Sequence, residues 1–91
     1  MKPDTIRAAV LRALGGVAPE ADLEHLQPDV SFREQLDIDS MDFLNFVIAL
    51  HKELGVEIPE RDYPKVATLR GCMEYLASAR QPRNPGQVPD P

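Results

Sequence analysis

The stretch Leu36-Asp37-Ile38-Asp39-Ser40-Met41-Asp42 opens an apolar run that continues to Leu54. Asp39 and Ser40 are both residue types that cap helix N-termini, and Asp42 follows Asp39 by three residues, as in a capping box. A helix over residues 39–54, ended by Gly55, is therefore predicted. Two interpretations of Ser40 stay open at this point. It is either part of an ordinary cap or a serine that carries a phosphate ester, because a helix N-terminus favours an anion.

The apolar residues of this helix fall into two stripes at about 100° per residue. The stripe expected to face the core contains Phe43, Phe46, Val47, Leu50 and Leu54. The second stripe, on roughly the opposite side, contains Met41, Leu44 and Ile48. A domain this small cannot easily bury both sides of a helix, so the second stripe predicts a partner-binding surface. Asn45 and Lys52 lie beside it and are assigned to the same surface.

The composition indicates one small domain that acts through partners. The chain has 91 residues, 15 of them acidic and 10 basic, with a formal net charge of -5. This balance disfavours nucleic acid and anionic membranes and favours a basic protein partner. Since the sequence has no long apolar span and no secretory signal, we expect a cytoplasmic protein that does not insert into membranes. We also expect a monomer. Cys72 and the two histidines have no metal-ligand spacing, so no metal site is expected.

An enzyme that uses Ser40 as its nucleophile is disfavoured. The sequence places no histidine to activate this serine, and it contains no nucleophile elbow or glycine-rich phosphate loop. A chain of this length also leaves little room for an oxyanion hole beside a substrate cleft. We therefore expect no catalytic residue.

The remaining segments complete the predicted architecture. A first helix over residues 4–14, capped by Asp4 or Thr5, is expected to end at Gly15-Gly16. A long loop over residues 17–38 follows, with short helical turns at 21–26 and after Ser31. After Gly55 an extended segment is predicted, with Val56 and Ile58 turned inward. A helical turn over 60–63 follows, and Pro64 either ends this turn or lies in the first turn of another. The last predicted helix covers 68–79, with Thr68 as its cap and Cys72 buried. Residues 1–80 form the domain, and the proline-rich residues 81–91 are a disordered tail.

The order of these elements resembles that of an acyl carrier protein, over roughly residues 4–79. The motifs that carry the resemblance are Ser31-Phe32 and Leu36 ahead of Asp39-Ser40-Met41-Asp42, the apolar helix after them, and Glu57-Ile58-Pro59 following Gly55. The resemblance implies an all-α fold, a small four-helix bundle with three longer helices, one short third helix and a long first loop.

The resemblance also implies a function for Ser40. A separate, magnesium-dependent phosphopantetheinyl transferase would attach 4'-phosphopantetheine from coenzyme A to this serine, with Asp39 and Asp42 helping it to recognise the site. The thiol of that arm would then hold acyl groups as thioesters. By the same resemblance, the interior where some carriers shelter an acyl chain would be lined by Phe43, Phe46, Val47, Leu50 and Leu54. The implied partners are acyl-loading, condensing or acyl-transferring enzymes that meet the surface of Met41, Leu44, Asn45, Ile48 and Lys52.

The sequence also departs from the family pattern. Asn45, His51 and Lys52 stand where fatty-acid carriers usually have carboxylates, and the first loop is a few residues longer through 19–24. These departures predict a dedicated carrier for a specialised lipid or secondary-metabolite pathway. Two alternatives remain at this point: an aminoacyl carrier on the same arm, and a helical interaction module that is never modified.

Overall fold

Helices make up the regular structure of residues 2–79, the part of the chain described by this computed structural model, and no strand occurs among them. The elements in chain order are α1 (Pro3–Val17), a first 3-10 helix (Leu23–His25), α2 (Phe32–Gln35), α3 (Ser40–Leu54), a second 3-10 helix (Glu60–Val66) and α4 (Leu69–Ala79). The predicted small all-α bundle is thereby confirmed. The predicted tail, 81–91, lies outside the described residues. No helix within 2–79 is long and apolar enough to cross a membrane.

Helix α1 is longer than predicted at both ends. It begins at Pro3, whose fixed φ suits the first helical position, and Lys2 occupies the cap position without a side-chain bond. The predicted caps, Asp4 and Thr5, are therefore wrong. The predicted end at Leu14 is also wrong, because the helix continues through both glycines to Val17. Leu23 packs over Gly15 and Val17 packs against the core, so tertiary contacts outweigh the low helix propensity of glycine.

The side-chain amide of Gln35 makes three hydrogen bonds within the long segment between α1 and α3. Gln35 Nε2 donates to the carbonyl oxygens of Gln27 (2.9 Å) and Val30 (2.8 Å), and its Oε1 accepts the N–H of Gln27 (3.0 Å). The predicted helical turn after Ser31 is confirmed as α2, capped by Ser31 Oγ, which accepts the N–H of Glu34 at 3.1 Å. The segment is thus a fixed support for the start of α3.

The chain between α3 and α4 follows the prediction except at one proline. Val56 and Ile58 are buried, as predicted. Pro64 lies inside the second 3-10 helix and does not end it. Its carbonyl oxygen accepts the N–H of Ala67 (3.4 Å), although its own nitrogen has no hydrogen to donate within the helix.

Helix α4 is held closely to the second 3-10 helix. Thr68 caps it as predicted, since its Oγ1 accepts the N–H of Gly71 at 3.0 Å. A Cβ added at Gly71 would collide with the carbonyl oxygen of Lys65, so only glycine permits this approach. The hydroxyl of Tyr75 donates to Asp62 Oδ2 at 2.7 Å across the same interface.

The core lies where α1 packs against both α3 and α4. Its largest fully buried side chains are Phe32, Phe46, Ile6, Leu14, Leu50, Leu76, Val10, Val66 and Cys72. Phe32 and Phe46 meet edge to face with ring centroids 5.2 Å apart, and Phe43 continues the contact from Phe46 (5.8 Å) to Tyr63 (6.1 Å). This row of rings joins α2, α3 and the second 3-10 helix, and it leads from the core to the surface beside Ser40.

Candidate functional site

Ser40 is the first residue of α3 and is exposed. Asp39 precedes it in an extended conformation and caps the helix, with Oδ1 accepting the N–H of Asp42 at 2.8 Å. The first N–H groups of a helix lack partners within the helix. Among the hydrogen bonds of residues 2–79, none uses the N–H of Ser40 or Met41. The serine hydroxyl therefore stands at a helix end with free backbone donors and a favourable dipole for an anion.

A tight connection of four residues, 36–39, leads from α2 to Ser40. The N–H of Leu36 donates to Phe32 O (2.9 Å), and that of Ile38 donates to Arg33 O (3.2 Å). Asp37, between them, has a φ of 54° in the left-handed region, the conformation that usually follows a helix C-terminus. Asp is one of the few residues besides glycine that adopts it at modest cost. The buried Phe32 thus anchors the chain only eight residues before the serine.

An open groove of about 490 Å³ begins at Ser40. It runs between α3 and the second 3-10 helix and is lined by Ser31, Arg33, Ser40, Met41, Phe43, Leu44, Glu60, Tyr63, Pro64 and Ala67. Its lining combines aromatic and aliphatic side chains with two opposite charges, Arg33 and Glu60. The groove is large enough to receive part of a flexible organic group attached nearby.

The two stripes of α3 differ in exposure. Phe46, Val47 and Leu50 are buried, and Leu54 packs against the core. Met41 and Ile48, 64% and 43% exposed, are the exposed large hydrophobic residues within 2–79, and Leu44 is half-buried. Phe43 differs from the rest of its stripe because it also lines the groove.

The polar residues assigned to the partner surface are exposed. Asn45 and Lys52 both face solvent on α3. His51 is exposed as well, but its Nδ1 lies 2.8 Å from Val56 O, so it also supports the end of the helix. Asp42 is half-buried and lines a second open groove, of about 540 Å³, with Glu20 and Asp37. The two aspartates predicted to flank Ser40 thus differ in role: Asp39 caps α3 through its side chain, whereas Asp42 gives only its backbone N–H to that bond and is one of the residues that line the second groove.

Three groove residues, Arg33, Glu60 and Tyr63, were not predicted from the sequence. Arg33 is seven residues before Ser40, and Glu60 and Tyr63 come 20 and 23 residues after Ser40. Of the three, only Arg33 lies near Ser40 in the sequence, in the helical turn predicted after Ser31. The other two enter the site through folding of the second 3-10 helix onto α3.

The far wall of the groove is fixed by the bond between Tyr75 and Asp62. The Tyr75 hydroxyl holds the pKa of Asp62 below its usual value. Burial, with the bond to Asp62, raises the pKa of Tyr75 to about 12. Asp62 is also 3.5 Å from Lys65 Nζ. This network ties the segment that carries Tyr63 and Pro64 to α4.

The described residues contain no group of side chains suited to hold a metal ion. Cys72 is buried, and its Sγ lies 3.3 Å from Val66 O. Burial raises the pKa of this thiol to about 12. It is therefore a core residue without a nucleophilic thiolate near neutral pH.

Comparison with known proteins identifies the class of this domain. Residues 4–76 match the family model described as a phosphopantetheine attachment site. The chain is 36% identical to an acyl carrier protein of Thermosynechococcus vestitus over 55 residues, which cover 60% of this chain and 68% of that protein. It is 33% identical to an acyl carrier protein of Renibacterium salmoninarum over 73 residues, which cover 80% of this chain and 85% of that protein.

The domain is therefore a phosphopantetheine-binding carrier, on which 4'-phosphopantetheine is covalently attached. The chain belongs to the acyl carrier protein family, as its sequence motifs predicted. It is a carrier and not an enzyme. An exposed serine hydroxyl beside an open groove fits such a group, which would supply a terminal thiol for thioester formation.

Proposed function

We propose that Ser40 is the attachment residue and that the chain carries acyl intermediates as thioesters on the arm. The observation that carries this proposal is the position of the Ser40 hydroxyl, exposed at the start of α3 and at the groove. Ser31 lines the same groove, but its Oγ is engaged as the cap of α2. Attachment at Ser40 leaves every described hydrogen bond of the junction in place.

The attachment step is a phosphoryl transfer from coenzyme A. Ser40 Oγ forms a bond to the phosphorus of the phosphopantetheine half, while the pyrophosphate bond to the adenosine bisphosphate half breaks and the hydroxyl proton is released. The product is a phosphodiester with one negative charge. The partially positive end of α3 stabilises that charge.

The partner-binding surface is formed by Met41, Leu44, Asn45, Ile48 and Lys52. Met41 and Ile48 are exposed and Leu44 is half-buried, and none of the three belongs to the buried core, which is typical of a surface that meets other proteins. Asp39 and Asp42 flank Ser40 and are proposed to assist the phosphopantetheinyl transferase, with Asp39 near its metal ion. Acyl-loading, condensing or acyl-transferring enzymes would use the same face when the arm enters their active sites.

We further propose that the carrier serves a specialised lipid or secondary-metabolite pathway. Asn45, His51 and Lys52 make the exposed face of α3 less acidic than a surface that meets strongly basic synthase patches. A synthase that relies on such patches would bind this face weakly.

The attachment is tested by intact-mass measurement after coexpression with a broad-specificity phosphopantetheinyl transferase. We expect a mass increase of one phosphopantetheine group, abolished by Ser40→Ala and retained in Ser31→Ala, which removes the other serine of the groove. An unchanged mass of the wild-type chain would support an unmodified interaction module and contradict the proposal. The mass of the thioester-linked group on protein from its native cell separates acyl from aminoacyl cargo.

The pathway proposal is tested with a general fatty-acid ketosynthase. We expect low turnover with the wild-type carrier and higher turnover with the Asn45→Glu, Lys52→Glu double variant. Full activity of the unaltered carrier would show that the changed surface does not exclude fatty-acid synthesis.

A further inference from the structure

We infer that Arg33 is the counter-charge of the phosphodiester at Ser40 and directs the start of the arm into the groove. This inference rests on the proposed attachment at Ser40. It assigns a positioning role to a side chain for which the sequence predicted none.

Arg33 is a cation of the groove without an ion pair among residues 2–79. Among residues 2–79, Arg12 pairs with Glu53, Lys65 with Asp62, and Arg70 with Asp29. The other cations without such a pair, Lys2, Arg7, Lys52 and Arg61, do not line the groove. Arg33 has none within 4 Å, although it lines the same groove as Ser40. Its guanidinium is therefore available to an anion that enters the groove.

The backbone holds Arg33 and Ser40 in a fixed relationship. The carbonyl oxygen of Arg33 accepts the N–H of Ile38, and the next residue, Asp39, caps α3. Phe32, adjacent to Arg33, is fully buried against Phe46 of α3. The arginine and the serine thus stand on two helices whose ends are joined by hydrogen bonds and by a core contact.

The chemistry of a phosphodiester matches this arrangement. A guanidinium donates two parallel hydrogen bonds to oxyanions, a geometry that an ammonium group cannot reproduce. Glu60, the second charged residue of the groove, would repel the same anion. Arg33 therefore draws the phosphate towards its own side, and the arm continues past Phe43 and Tyr63.

The test measures the coupling between Arg33 and the modification. Urea unfolding is measured for apo and fully modified forms, confirmed by mass, of wild type, Arg33→Gln, Arg33→Lys and Arg61→Gln. Arg61 is an exposed cation outside the groove and is the matched control for net charge. The readout is the ratio of the holo to the apo unfolding constant, compared between variants.

We expect Arg33→Gln to raise the ratio of the holo to the apo unfolding constant by about 1.5- to 5-fold, the range typical of an exposed ion pair. Arg33→Lys should retain part of the effect, Arg61→Gln should show none, and high salt should reduce the coupling. Equal changes in Arg33→Gln and Arg61→Gln, or no change in either, would overturn the role of Arg33. A wild-type chain that gains no mass would instead refute the attachment itself.

Discussion

The carboxylate of Asp39 accepts the backbone N–H of Asp42 at 2.8 Å, immediately around Ser40. This bond gives Asp39 a structural role that is independent of any enzyme that recognises it. Asp42 contributes only its N–H to the bond, so its carboxylate is free to act elsewhere. Substitutions at the two positions can therefore separate stability from recognition.

Asp39→Ala should lower the free energy of unfolding by about 1 kcal/mol, because it removes the cap of α3. Asp39→Asn should leave stability nearly unchanged, because asparagine caps equally well, yet it should slow modification by the transferase. Urea unfolding and the rate of mass gain measure the two effects. Asp42→Ala, which keeps the cap bond, is the control for the stability effect alone. Unimpaired modification of Asp39→Asn would contradict the recognition role of this carboxylate.

Phe46→Ala or Leu50→Ala should cost about 2 to 5 kcal/mol of stability, since both side chains are fully buried on α3. Met41→Ala, on the opposite stripe, should cost much less and should weaken partner binding. Thermal unfolding and a binding measurement with the transferase report the two outcomes. Equal destabilisation by all three substitutions would show that the stripes do not have separate roles.

Gln35→Glu should destabilise the domain by about 1 to 3 kcal/mol, because it removes both donors that the carbonyl groups of Gln27 and Val30 use. Gln27→Glu is the matched control, since Gln27 takes part through its backbone alone. The amide hydrogens of residues 27–36 should exchange faster in the Gln35 variant. Equal stability of the two variants would show that the segment is held by its other contacts.

Stability should fall at alkaline pH through Cys72 and Tyr75. Both folded-state pKa values are raised to about 12, from ordinary values of 9.0 and 10.0. Folding favours the protonated groups, so their contribution is complete below about pH 9 and is lost as the pH rises towards 12. Cys72→Ala and Tyr75→Phe should each flatten the pH dependence of unfolding in this range. If stability depended on pH equally steeply in wild type and in both variants, Cys72 and Tyr75 would not be the cause of the alkaline loss of stability.

Thiol counting should distinguish the apo and holo forms. Native apo protein should react slowly with a thiol reagent, because Cys72 is buried and protonated. Holo protein should show one fast thiol, that of the arm, and the slow thiol should appear on unfolding in both forms. Ser40→Ala should remove the fast thiol only. A fast thiol in the apo form would show that Cys72 is accessible.

The sequence predicted α3 accurately because its signals are local. Asp39 supplies the cap, Gly55 takes the left-handed position after the helix (φ 69°), and the apolar spacing identifies the buried side. The end of α1 was predicted wrongly because Gly15 is stabilised in the helix by packing of Leu23, a residue of another element. The groove could not be predicted for the same reason: Tyr63 and Glu60 reach it only through tertiary contacts.

The second 3-10 helix forms one wall of the groove and is tied to α4 by Tyr75–Asp62 and by the close approach at Gly71. A group in the groove that pushed this wall outward would also have to strain the bond to Tyr75. The rigidity of the wall is therefore set by residues that do not line the groove. Substitutions at Asp62, Gly71 or Tyr75 would loosen the wall and leave Ser40 and its surroundings unaltered.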